Sequence, residues 1–269
     1  MMRFTIEDYK AHSGPVEVDD IDFDAFRDDP LPADAIRALQ YMHDVEYHTV
    51  CYLRDLLVTP AHKDPEVTAF LTIWNYEEMW HGEALARVLA AHGEAGAEPR
   101  IDALRRRLRI GDRLAPVSHS LASMAVGKAW TAVHMTWGAL NEWSAQAAYG
   151  RLNTRTEHPV LGQLLKRLMR QEGKHVDFYA TQAKNRLEDS RFAQRLTRWA
   201  LSHYWGPVGS TIMPKSEVDF VVDYCFGGDE GRSIAQRIDR RMDRLPGLAG
   251  LGLAEGTIEK YGSPLAATA

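Results

Sequence analysis

Apolar residues recur at three- and four-residue spacing in long blocks, whereas alternating runs bounded by Asn-Gly or Gly-Asn turns are hard to find. That pattern predicts an all-α protein. A first long helix is expected from Pro32, suited to a first-turn position, to Leu57, ahead of the Thr59-Pro60 stop. A second starts at Asp64-Pro65, an N-cap followed by a first-turn proline, and continues to Ala91, where His92-Gly93 forms the exit. Residues 94–117, rich in Gly, Pro and Arg, read as a long connection, after which helical periodicity resumes at Ser118 and persists to Leu152 as a third helix. A fourth opens at Pro159 and runs to Leu187. Shorter helices are expected at 190–204 and 216–244, and the Gly- and Ala-rich end from Pro246 is expected to be loosely ordered. The division that follows is an acidic segment over 1–31, a helical domain over 32–244 and a tail over 245–269.

Charged residues interrupt the apolar stripes at particular places. Two Glu-x-x-His units occur, Glu78 to His81 and Glu172 to His175, and in a chain with 11 histidines such units arise often enough by chance that context must decide. Residues three apart on a helix share a face, so each unit presents a carboxylate and an imidazole to one point. On the second helix Val67, Leu71, Trp74, Glu78, His81, Leu85 and Val88 share a face, and on the fourth so do Leu161, Leu165, Leu168, Glu172, His175 and Tyr179. The other two long helices each offer one inward acid. Glu46 interrupts the stripe Leu39, Met42, Val50, Leu53 and Leu57, and Glu142 interrupts Met135, Gly138, Ala145 and Tyr149.

Helices joined by short loops run antiparallel, which makes height an independent check. At 1.5 Å per residue, Glu46 lies about 17 Å from the end of its helix and Glu78 about 21 Å from the start of the next. The corresponding values for Glu142 and Glu172 are about 15 Å and about 20 Å. All four acids therefore fall near one level. Four carboxylates in an apolar bundle call for compensation that two divalent cations supply, and oxygen donors with one imidazole per ion suit iron or manganese. The competing reading, buried salt bridges, is disfavoured because buried acids without basic partners on the same stripe are rare.

Composition narrows the class further. The chain has 269 residues, 45% hydrophobic and 26% charged, within the range of one large globular domain. Cys51 and Cys225 alone provide neither a disulfide framework nor a four-thiolate zinc site, so a reducing compartment, the cytosol, is expected. Nine acids in the first 30 residues oppose the basic-then-apolar pattern of a signal peptide, and the most apolar stretch, 121–140, is broken by Lys128 and His134, unlike a membrane span. A net charge of −5 gives no global attraction for nucleic acid.

One Glu from each of two helices and Glu-x-x-His from each of two others is the ferritin-like pattern, here a four-helix bundle with one long crossover and additional C-terminal helices. Residues 77 to 82, Glu-Glu-Met-Trp-His-Gly, match the first motif of the soluble acyl-carrier-protein desaturases, usually Glu-Glu-x-x-His-Gly. Residues 171 to 175, Gln-Glu-Gly-Lys-His, match their second, usually Asp-Glu-x-x-His, except at its first position. Over about residues 35 to 185 the sequence resembles that family. The resemblance implies Glu46, Glu78, His81, Glu142, Glu172 and His175 as ligands of two iron ions (manganese being the other candidate), O2 as co-substrate and an acyl chain as substrate. It also implies an acyl carrier protein and a ferredoxin-like electron donor as partners, and a homodimer.

With the family's Asp replaced, Gln171 or Glu77 must orient a histidine. Ala145 stands where the family often has a threonine. Leu168 replaces the extra histidine of arylamine-type oxygenases, and Leu85 the radical tyrosine of ribonucleotide reductase small subunits. A monooxygenase acting on a free small molecule and an iron-storage protein are the alternative functions. Arg100, Arg105, Arg106, Arg107, Arg109 and Arg113 form a basic run that would suit an acidic carrier protein or a plain solvated face. Gly138, Ala139, Ala145 and Ala148 would leave room for an apolar chain or mark close helix packing. His43, His48 and His134 are expected in polar or core roles rather than as extra ligands.

Overall fold

The computed structural model describes residues 5–108 and 110–262. Arg109 of the basic run, Arg3 and the last seven residues of the tail lie outside the described residues. Eleven α-helices and no strand occur among those described. Two long antiparallel hairpins make the bundle, α2 (Ala33–Leu57) with α3 (Pro65–Ala91) and α6 (Ala129–Thr156) with α7 (Pro159–Glu188). Their starts follow the caps read from the sequence. Asp64 accepts hydrogen bonds from the N–H groups of Glu66 and Val67 ahead of Pro65, and His158 accepts from Leu161 ahead of Pro159.

The connection over 94–117 is where expectation and structure part. It carries α4 (Ala97–Arg107) and the first half of α5 (Ile110–Val126), which together form the crossover between the hairpins. Pro116 sits inside α5, and the Asp112 carbonyl that would have bonded residue 116 accepts the Arg54 guanidinium at 3.2 Å instead. The third predicted helix is two helices, because Gly127 takes a left-handed φ of +59° that ends α5 before α6 begins. Likewise 216–244 is α9 (Lys215–Phe226) and α10 (Gly228–Met242), broken at Gly228 with φ +70°. The tail expected to be loose contains α11 (Leu253–Tyr261), tied to α10 by Asp239, whose carboxylate accepts the N–H groups of Ala254 and Glu255 at 3.0 Å.

The N-terminal segment packs on the bundle through α1 (Ile6–His12) and a 3-10 turn at Phe23–Arg27, burying Tyr9, Val16, Ile21 and Phe26. α8 (Arg191–Tyr204) covers α6 and α7. The stripe residues on α3 and α7 are all buried. On α2 the inward position is Leu56, whereas Val50 and Leu57 are 43% and 40% exposed. Helices that wind around each other keep a seam of period near 3.5, so a straight 3.6-residue count overshoots by the last turn.

The core is in two apolar layers. One holds Leu56, Phe70, Leu71, Met135, Phe178 and Tyr179, and the other Leu39, Leu85, Val88, Leu152, Leu161 and Leu165. Every long helix passes from one layer to the other, and the inward acids lie at the crossing point.

Candidate metal centre

Glu46 from α2, Glu78 and His81 from α3, Glu142 from α6, and Glu172 and His175 from α7 meet between the two layers, each no more than 6% exposed. Their oxygen and nitrogen atoms form two overlapping quartets, Glu46, Glu78, His81 and Glu172, and Glu78, Glu142, Glu172 and His175, each with its atoms within 4.8 Å of one another. Glu78 and Glu172 belong to both. The structure thus brings all six predicted residues together and leaves His43, His48 and His134 outside the quartets.

Both imidazoles are held the same way around. His81 Nε2 lies 2.9 Å from Gln171 Oε1, and the Gln171 amide is oriented by donating its Nε2 to the Gly14 carbonyl at 2.9 Å. His175 Nε2 lies 2.8 Å from Glu77 Oε2. Acceptors at Nε2 keep one ring proton there, so Nδ1 of each ring faces the carboxylates and is free to turn a lone pair toward a bound cation. His81 Nδ1 is 3.1 Å from Glu172 Oε1, and His175 Nδ1 is 3.0 Å from Glu78 Oε1. Yet His81 Nδ1, Glu78 Oε1 and Glu172 Oε1 are buried without a hydrogen-bond partner. Buried carboxylate oxygens and imidazole nitrogens that converge on one point are a donor set that a cation satisfies.

Electrostatics point the same way. Among the described residues no lysine or arginine pairs with the four carboxylates; their ion-pair contacts are with His81 and His175. Burial, then Glu46 and Glu172, push the Glu78 carboxyl well above the ordinary range, and burial with Glu172 does the same to Glu142. At Glu172 burial works against ionisation, but the two histidines outweigh it and hold that carboxyl low. A fully ionised cluster is therefore unstable without added positive charge, which divalent ions provide.

Further hydrogen bonds set the carboxylates. Trp74 Nε1 donates to Glu142 Oε1 at 2.9 Å, and the Tyr149 hydroxyl donates to Glu46 Oε1. Glu77 is itself held by the Tyr9 hydroxyl at 2.6 Å and the Gly14 N–H at 3.2 Å. Sequence reasoning named Gln171 and Glu77 as alternative orienters; the structure uses both, one per histidine. Tyr9 and Gly14 were missed, because nothing near residue 77 signals a partner more than 60 residues upstream.

An apolar cavity of about 90 Å³ reaches the cluster at Glu46, with walls from Met42, Ala145, Ala148, Val222 and Ile238. Of the two roles open to the small residues, Ala145 and Ala148 line this space. Gly138 does not: it admits the Tyr179 ring, whose nearest atom would stand 2.3 Å from an added Cβ. Arg100 of the basic run pairs with buried Asp44 at 2.8 Å, while Arg105, Arg106, Arg107 and Arg113 are exposed. His43 Nδ1 lies 2.9 Å from Asp44, and burial pushes the His134 imidazole down to about 3.

An all-α ferritin-like bundle with a buried carboxylate and histidine cluster able to hold metal is the class that fold and site define. A solved structure with the same fold is the X-ray structure of the "putative acyl-ACP desaturase DesA2" from Mycobacterium tuberculosis H37Rv. It superposes with a TM-score of 0.51 at 19% identity, over 83% of this chain and 77% of that one. No protein-family model matches the chain, and no curated protein matches it by sequence. No helix among the described residues is long and apolar enough to cross a membrane.

Proposed function

We propose that this protein is an O2-dependent di-iron oxidase of the acyl-ACP desaturase type, acting on an apolar chain in the cytosol. The observation that carries the reading is the pair of overlapping quartets beside an apolar cavity. Glu46 and His81 would hold one ion and Glu142 and His175 the other, with Glu78 and Glu172 available to both. When bound, the iron pair supplies activation of O2 strong enough to take hydrogen from an unactivated C–H bond. Forming a double bond while reducing O2 to two waters consumes two further electrons and two protons, for which a ferredoxin-like donor is the proposed source.

The chain's own residues position and exclude. Met42, Ala145 and Ala148 align an alkyl segment along the cavity next to Glu46. The two apolar layers keep bulk water from the cluster. Gln171 and Glu77 fix the rings that turn Nδ1 inward, and Trp74 and Tyr149 fix one oxygen each of Glu142 and Glu46. An acyl carrier protein is the proposed bearer of the chain, with exposed Arg105, Arg106, Arg107 and Arg113 offering it charge complementarity.

The test is mass analysis of acyl carriers after aerobic turnover with reductant. Loss of two hydrogens supports desaturation, gain of one oxygen makes the protein a monooxygenase, and iron oxidation with neither product and uptake beyond two ions per chain makes it a storage protein. Glu77→Ala, which removes the anchor of His175, is expected to weaken iron binding about 10- to 100-fold in a chelator competition. Unchanged affinity would mean that Glu77 has no part in holding that ring.

A further inference from the structure

The groove where α6 crosses α10 carries three arginines that the centre does not use. Arg151 comes from α6, and Arg237 and Arg241 lie one turn apart on α10. They line a cleft of about 310 Å³, at the lower end of small-molecule sites. Glu230 is the single carboxylate on the lining, and it bonds Arg151. Arg151 Nε remains buried without a partner, Arg237 donates only to the Ser233 hydroxyl at 3.0 Å, and Arg241 pairs with no acid among the described residues. The Arg151–Glu230 pair and the buried apolar residues of α10 already tie it to α6. Two guanidinium groups at i and i+4 repel each other, and the chain as a whole has a net charge of −5, so the local excess of positive charge is not general basicity.

The floor of the cleft has the opposite character. Ala147, Ile234 and Ile238 form it, and Ile238, 3% exposed, is also a wall of the apolar cavity that reaches Glu46. One side chain therefore borders both a cationic cleft and a hydrocarbon-lined space. The cavity alone, at about 90 Å³, is below the size of ordinary ligand sites, and joining it to the cleft across Ile238 brings it into that range.

We propose that the cleft binds the oxyanion head, phosphate or carboxylate, of a single-chain amphiphile whose alkyl tail passes Ile238 toward Glu46. Guanidinium groups match phosphate and carboxylate oxygens in paired hydrogen bonds, and the tail exchanges water for the cavity wall. The anion site stands on the cleft alone; the tail's destination rests on the oxidase reading, with a free amphiphile in place of the carrier-borne chain.

Calorimetry on the full-length, iron-loaded protein tests this with inorganic phosphate, dodecyl phosphate, dodecanoate and phosphatidic acid vesicles as probes. Dodecyl phosphate is expected to bind about 100-fold or more tighter than inorganic phosphate, as tail burial requires. The double variant Arg237→Gln with Arg241→Gln is expected to weaken dodecyl phosphate and dodecanoate about tenfold or more. Ile238→Trp is expected to remove the advantage of dodecyl phosphate over inorganic phosphate. Should that variant fail to fold, a butyl, octyl and dodecyl phosphate series on the unaltered protein replaces it, with affinity expected to rise with length.

An unchanged affinity in the arginine variant overturns the anion site. Equal affinity along the series, or an intact tail advantage in Ile238→Trp, overturns the route. Vesicle binding that outcompetes the free amphiphile overturns the single-chain assignment. Binding requires no turnover, so amphiphile binding with no oxidised product defeats the oxidase reading alone, and absent binding with iron content intact defeats this proposal alone.

Discussion

Replacing Glu172 with alanine is expected to leave fewer than one iron ion per chain, against the two proposed for the unaltered protein, read by plasma mass spectrometry. The reason is its membership of both quartets, so one truncation takes an oxygen donor from each site, leaves His81 Nδ1 without its nearest shared carboxylate and leaves His175 Nδ1 with Glu78 as its one shared carboxylate. Ligands that bind only the folded state stabilise it by mass action, so ferrous iron should raise the melting temperature of the unaltered protein and not that of Glu172→Ala. Glu46→Ala, which touches one quartet, is expected to retain one ion. Two ions per chain in Glu172→Ala would sink the shared-carboxylate arrangement.

The second large effect is on packing. An added Cβ at Gly138 would stand 2.3 to 2.8 Å from three ring atoms of Tyr179. That ring is fully buried, edge-on to Phe70 at 5.0 Å and to Trp74 at 6.0 Å, so it has nowhere to retreat. Gly138→Ala is expected to cost about 1–3 kcal/mol, a large part of a typical 5–15 kcal/mol, and to lower the melting temperature by several degrees. Gly150→Ala on the same helix is the control, because its added Cβ meets only Met169 Sδ at 3.8 Å. There the gain in helix propensity, about 0.5–1 kcal/mol, should show unopposed. If the two variants melt together, the close approach of Tyr179 to α6 is not what Gly138 provides.

The four long helices were legible because each buries one stripe of constant phase against the others, and the six inward residues were legible because a charge on such a stripe is costly enough to stand out. The crossover was not. Ile110, Leu114, Val117, Leu121 and Met124 fall at helical spacing but point outward in α5, each more than half exposed, so their periodicity reported no core. The break at Gly127 was hidden for the related reason that apolar spacing continues through it. Glu77 was legible as an acid beside Glu78, but its hold on His175 depends on Tyr9 and Gly14, and contacts spanning 63 to 98 positions leave no local pattern.

Each quartet borrows a member from the other hairpin. A nascent chain that has emerged only as far as the turn at residue 157 carries Glu46, Glu78, His81 and Glu142, yet lacks Glu172 and so completes neither set. No early folding unit can offer an ion a full complement of donors, and either set closes only once both hairpins have been synthesised and docked.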